Sequence, residues 1–238
     1  MKSPLASGVW IELDEVESTQ VAAKAHVASG EEPKVGVLFA HHQTAGVGRF
    51  EREWYSERGH SMTASLIFWD YADHPKGWLI GMNLALAVAG AVHCRVSWPN
   101  DLLLGGKKVG GVLTHMVEDP KGRRVPVIGI GLNLGVLDFP GDLSGRAGNV
   151  EMGSGDRFDP KHVCEEILER VSLLPEPNEW HDLKSVWSRF DETAGKRYTL
   201  PDGQVAIGIG IGPQGELICS LEGETTSVLA ADAIFGPA

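Results

Sequence analysis

Cysteine is scarce in this chain, basic residues are outnumbered, and no apolar run reaches the length of a membrane span. The three cysteines among 238 residues, Cys94, Cys164 and Cys219, are far apart and include no Cys-x-x-Cys pair. Neither a disulfide framework nor a cysteine zinc site follows from them, and they read as small hydrophobes in a reducing compartment. Lysine and arginine total 21 against 32 aspartates and glutamates, a formal net charge of −11. That sign argues against a protein that grips DNA or an anionic membrane over its whole surface. An anionic ligand must instead be met by cations gathered locally. The longest apolar stretch, around residues 79–92, is too short and too rich in alanine and glycine to cross a bilayer. Glu12, Asp14, Glu15 and Glu17 interrupt the N-terminal region where a signal peptide would need an apolar run, so a cytoplasmic address is expected by elimination.

Several catalytic signatures are also missing. No glycine-rich loop ends in Gly-Lys-Ser/Thr, and neither His-Glu-x-x-His nor Gly-x-Ser-x-Gly occurs. Gly129-Ile130-Gly131 lacks the third glycine of a dinucleotide fingerprint. His41-His42 are neighbours on an expected strand and would point to opposite faces, so no metal site is expected.

What is present patterns as α+β. Ser18 is a cap residue for a helix ended by Gly30, and Asp159-Pro160 opens another with a stripe of Val163, Ile167, Leu168, Val171 and Leu174. Residues 78–92 predict a buried helix and 180–190 a last one. Strand character appears at 35–40 and 61–69, then at 95–98, 101–104, 109–117 and 125–134, with a Gly105-Gly106 hairpin. Residues 41–59 lose periodicity and read as a long loop, a length that is often functional. After Gly195 short β segments alternate with turns at 201–203 and 212–215. The expected division is residues 1–190 as one α+β domain and 191–238 as a small all-β domain, too small to be very stable alone.

The chemistry concentrates in two places. Trp98-Pro99-Asn100-Asp101 is followed by Lys108 and then Val109-Gly110-Gly111-Val112-Leu113. Glycines there permit close backbone approach to a ligand, and a lysine beside them places a compact charge on a carboxylate or phosphate. Taken alone, Lys108 is more often a solvated surface lysine; its setting between Asp101 and the glycines raises the functional reading. The second place is Gly46-Val47-Gly48-Arg49-Phe50-Glu51-Arg52-Glu53-Trp54. Arg49 and Arg52 are close enough in sequence to reach one anion, with Trp54 as a stacking residue. Over residues 44–59, Arg49, Arg52 and Arg58 balance Glu51, Glu53 and Glu57, so a solvated, ion-paired loop is the bland alternative.

These segments, with Ser18-Thr19, Gln43 and Gly129-Ile130-Gly131-Leu132-Asn133, resemble the biotin protein ligases in identity and order, over roughly residues 10 to 140. The resemblance implies a mixed or antiparallel central sheet with flanking helices, as in class II aminoacyl-tRNA synthetases, plus a C-terminal SH3-like β-barrel. It implies no N-terminal DNA-binding winged helix and hence no DNA partner. The implied reaction joins biotin to ATP as biotinyl-5′-AMP, then transfers the biotinyl group to a lysine of a carboxylase carrier domain; Mg²⁺ is expected to arrive with ATP. By the same resemblance Lys108 sits at the carboxylate–phosphate junction, Arg49 and Arg52 hold the phosphates, and Trp54 packs over the ligand. Ser18, Thr19 and Gln43 would bind the biotin ring beside the backbone of Gly110 and Gly111. Asp101, Asn133, Gly46, Gly48 and Asn100 are carried over as site residues. Edge strands of the sheet could support a homodimer.

The chain departs from the family pattern at named positions. The usual Gly-Arg-Gly-Arg-Arg-Gly-Arg-x-Trp loop here has Val47, Phe50 and Glu51 in place of Arg, Arg and Gly, a change of three charge units. Ser97 stands where Lys is common, His115 where Glu is frequent, and Gln20 where Asn is frequent. Two further readings therefore accompany the ligase: a non-catalytic biotin or adenylate binder, and a ligase or transferase for another acid such as lipoate or octanoate. The lipoate ligases' Arg-Arg-x-x-Gly-Gly-Gly signature is missing.

Overall fold

A computed structural model describes residues 7–136, 138–139, 141–143, 145–200 and 202–229. In chain order the elements are β1 (Val9–Leu13), α1 (Thr19–Ser29), β2 (Val35–Ala40), β3 (Gly46–Val47), β4 (Glu53–Trp54), β5 (Ser61–Ile67), α2 (Gly77–Ala91), β6 (Arg95–Ser97), β7 (Asp101–Leu104), β8 (Lys107–Glu118) and β9 (Arg124–Asn133). There follow α3 (Val150–Ser154), α4 (Pro160–Val171), α5 (Trp180–Phe190), β10 (Arg197–Thr199), β11 (Val205–Ile211), β12 (Leu217–Leu221) and β13 (Glu224–Val228). Local chemistry explains the helix ends. Ser18 Oγ accepts from Val21 N at the start of α1, Gly30 ends it in the left-handed region at φ 67°, and Asp159 caps α4 ahead of Pro160.

The main sheet has seven strands in the order β1-β2-β5-β9-β8-β7-β6. Only the β1–β2 pair is parallel, so the sheet is mixed, as expected for an α+β fold. Alternation along the strands sorts its two faces. Val37, Phe39, Leu66, Ile128, Ile130 and Leu132 point to one core, built with α2, α4 and α5. Leu38, Ile67, Val125 and Val127 point the other way, against Ala23 and Val27 of α1. Because α2 is apolar all round, it suits a position enclosed between the sheet and two further helices. Cys94 and Cys164 are buried there, and burial pushes both thiols up to about 12.

The tail is a four-stranded antiparallel sheet in the order β10-β11-β12-β13. Among the described residues no pairing joins its outer strands, so the expected barrel is observed as an open sheet. Its core gathers Tyr198, Leu200, Ala206, Leu217 and Cys219 around Trp98, which comes from the turn after β6, 100 residues before Tyr198. Trp98 Nε1 donates to Gly215 O at 2.8 Å, and Trp98 N donates to Thr193 Oγ1 at 3.0 Å.

Gly81 on α2 faces Thr114 of β8, and any side chain there would overlap the threonine hydroxyl. Gly81→Val is expected to lower the unfolding free energy by about 2 kcal/mol through overpacking, read as a drop in the urea midpoint at constant slope.

Candidate active site

The face of the sheet that α1 covers only in part carries a patch without side chains. Gly111 of β8 pairs with Gly131 of β9, Gly129 lies two residues back on the same face, and Asp101 of β7 pairs with Gly111. This patch floors a cavity of about 500 Å³. Two side chains use the space the glycines leave. The Trp54 ring lies over Gly131, and a Cβ at Gly129 would come within 2.7 Å of Gln20 Oε1.

One end of the cavity is a wall of hydroxyls and amides. Thr19 donates to Gln43 Oε1 twice, from its backbone N at 2.7 Å and from Oγ1 at 3.0 Å. Gln43 is itself anchored through its backbone, which exchanges hydrogen bonds with Ser56 Oγ at 3.1 and 3.2 Å. Ser18, Thr19, Gln20 and Gln43 are all nearly fully buried, so the first turn of α1 supplies three polar groups to an otherwise apolar interface. Such groups persist in a folded protein only when each finds a partner.

The other end is cationic. Lys108 Nζ lies 2.5 Å from Asp101 Oδ1. The segment 146–148 runs along Lys108, taking its backbone N–H at Arg146 O (2.9 Å) and returning Gly148 N to Lys108 O (2.8 Å). Arg49 and Arg52 stand on the tight connection between β3 and β4, where Gly48 N donates to Arg52 O at 2.8 Å. Burial holds Arg49 below the ordinary guanidinium range; Asp101 opposes that shift and Arg52 adds to it. A half-buried guanidinium beside a second one is a site for an anion. Phe50 and Glu51 are left-handed at φ 54° and 57°. Glu51 thus occupies, with a side chain, the position where the family pattern has glycine, and the loop keeps its path at a cost in strain.

The structure brings Lys108, Arg49, Arg52, Asp101, Ser18, Thr19, Gln43, Gly48, Trp54, Asn100, Gly111 and Asn133 to this one cavity. Gly46 and Gly110 stand behind the wall. A Cβ on Gly46 would lie 2.5 Å from Trp54 O, and one on Gly110 2.6 Å from Gly131 O, so both serve close backbone packing. Asn133 Nδ2 donates to Gly148 O at 3.0 Å and ties β9 to the segment alongside Lys108. Sequence reasoning did not place Arg146, Lys196, Arg197 or Tyr198 here, yet all four line the cavity. Gly145-Arg146-Ala147-Gly148 was a readable signal, a basic residue among small ones. Nothing local marked the other three, which reach the cavity by the return of the tail onto β6, where Tyr198 Oη and Ser97 Oγ are 3.2 Å apart. Six cations and only two carboxylates, Glu53 and Asp101, line a cavity in a chain of net charge −11. His41 and His42 face Glu12 and Glu15 at 2.8 and 3.0 Å. Among the described residues no metal-ligating cluster occurs, and no helix is long and apolar enough to cross a membrane.

Comparison with known proteins gives one consistent result. The sequence profile described as the Biotin/lipoate A/B protein ligase family matches residues 12–133. The chain is 34% identical over 163 residues to the bifunctional ligase/repressor BirA of Bacillus spizizenii, covering 65% of this chain and 50% of that protein. It thus spans about half the length of the Bacillus BirA proteins it matches. It is 28% identical over 249 residues to a biotin–[acetyl-CoA-carboxylase] ligase of Mycobacterium tuberculosis, covering 96% of this chain and 91% of that one. In fold it is similar to a biotin protein ligase from Aquifex aeolicus in complex with biotin and ATP, with TM-score 0.69 at 24% identity, covering 94% and 97% of the two chains.

Beneath the polar wall lies His115 of β8, opposite Val127 in register, with Gln20 and Lys24 of α1 above it. Burial, then the charge of Lys24, lowers its pKa from the ordinary 6.5. The folded state therefore binds this proton less readily than the unfolded chain. The resulting stability is present above about pH 6.5 and is lost as pH falls through the folded-state value. Urea midpoints measured from about pH 7.5 down to 5.5 are expected to fall more steeply for the wild type than for His115→Gln.

Proposed function

The chain belongs to the biotin/lipoate A/B protein ligase family, and on that premise we propose that it is an ATP-dependent biotin–protein ligase. It would convert biotin and the magnesium complex of ATP to biotinyl-5′-AMP and pyrophosphate, then acylate a lysine of a carboxylase carrier domain. The observation that carries this reading is the convergence of Lys108, Arg49 and Arg52 at one end of a cavity whose other end is a neutral hydrogen-bonding wall. Two anions have to meet in the first step, and preorganised positive charge is what that encounter needs.

In the proposed mechanism the Lys108 ammonium, paired with Asp101, turns to the junction of carboxylate and α-phosphate. A carboxylate oxygen attacks the α-phosphorus, the bond to the bridging oxygen breaks, and pyrophosphate leaves toward Arg49 and Arg52. In the second step the acceptor amine attacks the acyl carbon, AMP departs with the bonding electrons, and the amine loses a proton. Trp54 lies over the glycine floor with an indole N–H that finds no partner among the described residues, placed to cover the ligand and exclude water. Arg146, Lys196 and Arg197 restore charge that Val47, Phe50 and Glu51 remove from the loop. Residues 191–238 are assigned here as an SH3-like module that completes the cationic end. A cytoplasmic location, no DNA partner and a homodimer formed through sheet edges are further parts of this proposal, argued from the acidic net charge and the unpaired edges of the sheet.

The same wall bears on the choice of acid. Biotin presents a cyclic urea with both donors and an acceptor, whereas lipoate and octanoate present only apolar surface at that end. Burying Thr19 and Gln43 against such a chain would leave polar groups unpaired. The strained, charge-neutral loop favours a second reading, a protein that binds the adenylate without making it.

Pyrophosphate release assayed with biotin, lipoate and octanoate separates these readings. Biotin is expected to be preferred by at least about a hundredfold, a floor below the roughly 10⁴–10⁵ that a site left with unpaired polar groups can reach. Release driven by lipoate or octanoate would overturn the choice of acid, and biotin binding without release would select the second reading. Lys108→Ala should cut release by about 10²–10³ while biotin still binds. Glu51→Gly, which removes both strain and a negative charge, is expected to lower the KM for ATP a few-fold with the KM for biotin unchanged.

A further inference from the structure

Gln20 is buried on the first turn of α1 and bridges the helix to three strands. Its Nε2 donates to Val127 O of β9 at 3.1 Å and faces His115 Nδ1 of β8 at 3.0 Å. Its Oε1 accepts from Ser65 Oγ of β5 at 2.9 Å. The carboxamide cannot be reversed, because that would set Oε1 against the Val127 carbonyl. Both amide hydrogens are thus committed to the sheet and Oε1 is left asking for a proton.

Among the described residues the hydroxyl that meets Gln20 Oε1 is that of Ser65, which has two acceptors in reach, Gln20 Oε1 at 2.9 Å and Thr19 Oγ1 at 3.0 Å, and one hydrogen to give. If that hydrogen goes to Thr19, the buried Gln20 oxygen has no donor. If it goes to Gln20, Thr19 Oγ1 still donates to Gln43 Oε1 and keeps its lone pairs open toward the cavity. Gln43 Oε1 already receives two Thr19 donors, so its Nε2 amide is the group it offers a ligand. The wall then reads as one donor, Gln43 Nε2, beside one acceptor, Thr19 Oγ1. That is the complement of a cyclic urea edge, a carbonyl next to an N–H.

We infer that Gln20, seated on His115, is a specificity-determining positioning residue: by drawing the Ser65 proton to itself it leaves Thr19 Oγ1 as an acceptor for a ligand N–H. The inference rests on the biotin-ligase reading and names a residue outside the set taken from the family pattern. It gives the pair of departures at Gln20 and His115 a single role, since the two side chains touch each other. Gly129 belongs to the same device, because a side chain there would displace the Gln20 oxygen.

The test is calorimetric binding of biotin and of its cyclic carbonate analogue, in which oxygen replaces both ring N–H groups, to the full chain. Wild type is expected to prefer biotin by about tenfold or more, the scale of one well-made buried hydrogen bond. Gln20→Met, close in size but with no donor and only a weak thioether acceptor, should free the Ser65 proton for Thr19, weakening biotin about tenfold and leaving the analogue and ATP nearly unaffected. Adding Ser65→Ala to Gln20→Met removes that proton and should recover biotin binding at least several-fold. A purely structural role for Gln20 predicts equal losses for both ligands and no recovery, and that result overturns the inference. No binding of biotin to the wild type would instead overturn the ligase reading, so the two failures are distinguishable. Thermal melting of both variants checks folding, and His115→Gln, which can still accept from Gln20 Nε2, is expected to preserve the preference if Gln20→Met proves unstable.

Discussion

The site depends on a place where a β-sheet has no side chains. Gly111, Gly129 and Gly131 cluster on one face of β8 and β9, so the backbone there is open to whatever lies above it. A sheet normally keeps a second layer about 10 Å away by the thickness of its side chains. Here that spacing collapses, and an indole, a carboxamide and a ligand-sized cavity come down onto the main chain. The polar wall and the cationic end face each other across this floor because Thr19 and Lys108 belong to elements packed at opposite borders of it.

The opposite face of the same sheet shows how such an opening is tolerated. There α2, α4 and α5 cover the strands continuously, and α2 approaches closely enough that Gly81 must be bare against Thr114. Most of the buried apolar area lies on that side, which is where burial contributes most to stability. The site face is covered by α1 over only part of its width, and the uncovered part is the cavity. Stability and access are assigned to different sides of one sheet.

How much of this was legible in the sequence varies with the reach of the interaction involved. Both ends of α1 and the start of α4 were readable because Ser18, Gly30, Asp159 and Pro160 act within one turn, whereas α4 stops at Val171, short of the expected Leu174. The hairpin at Gly105-Gly106 was readable for the same reason. β1 was not anticipated: Val9–Leu13 is short, half-exposed, and a strand only through its parallel partner β2, 26 to 27 residues on. Gly129 and Gly131 looked like an incomplete nucleotide fingerprint, since their use depends on Trp54 and Gln20 arriving from distant segments. Lys196, Arg197 and Tyr198 were invisible as site residues, because only the return of the tail to β6 puts them near Asp101. The motif residues themselves were legible as a set, while the division of labour among them, with Gly46 and Gly110 packing and Gly111 lining the cavity, required coordinates.

Trp98 shows what the shared architecture means for anyone wishing to shorten the protein. Its indole is the centrepiece of the tail's small core, while Asn100 and Asp101, just beyond it, border the cavity. Severing the chain after α5 would strip the walls from a large aromatic ring and leave it in water three residues from Asp101, the partner of Lys108. The halves are therefore not interchangeable cassettes: a foreign tail grafted in place of the native one would need a socket for that ring before the neighbouring carboxylate could keep its position.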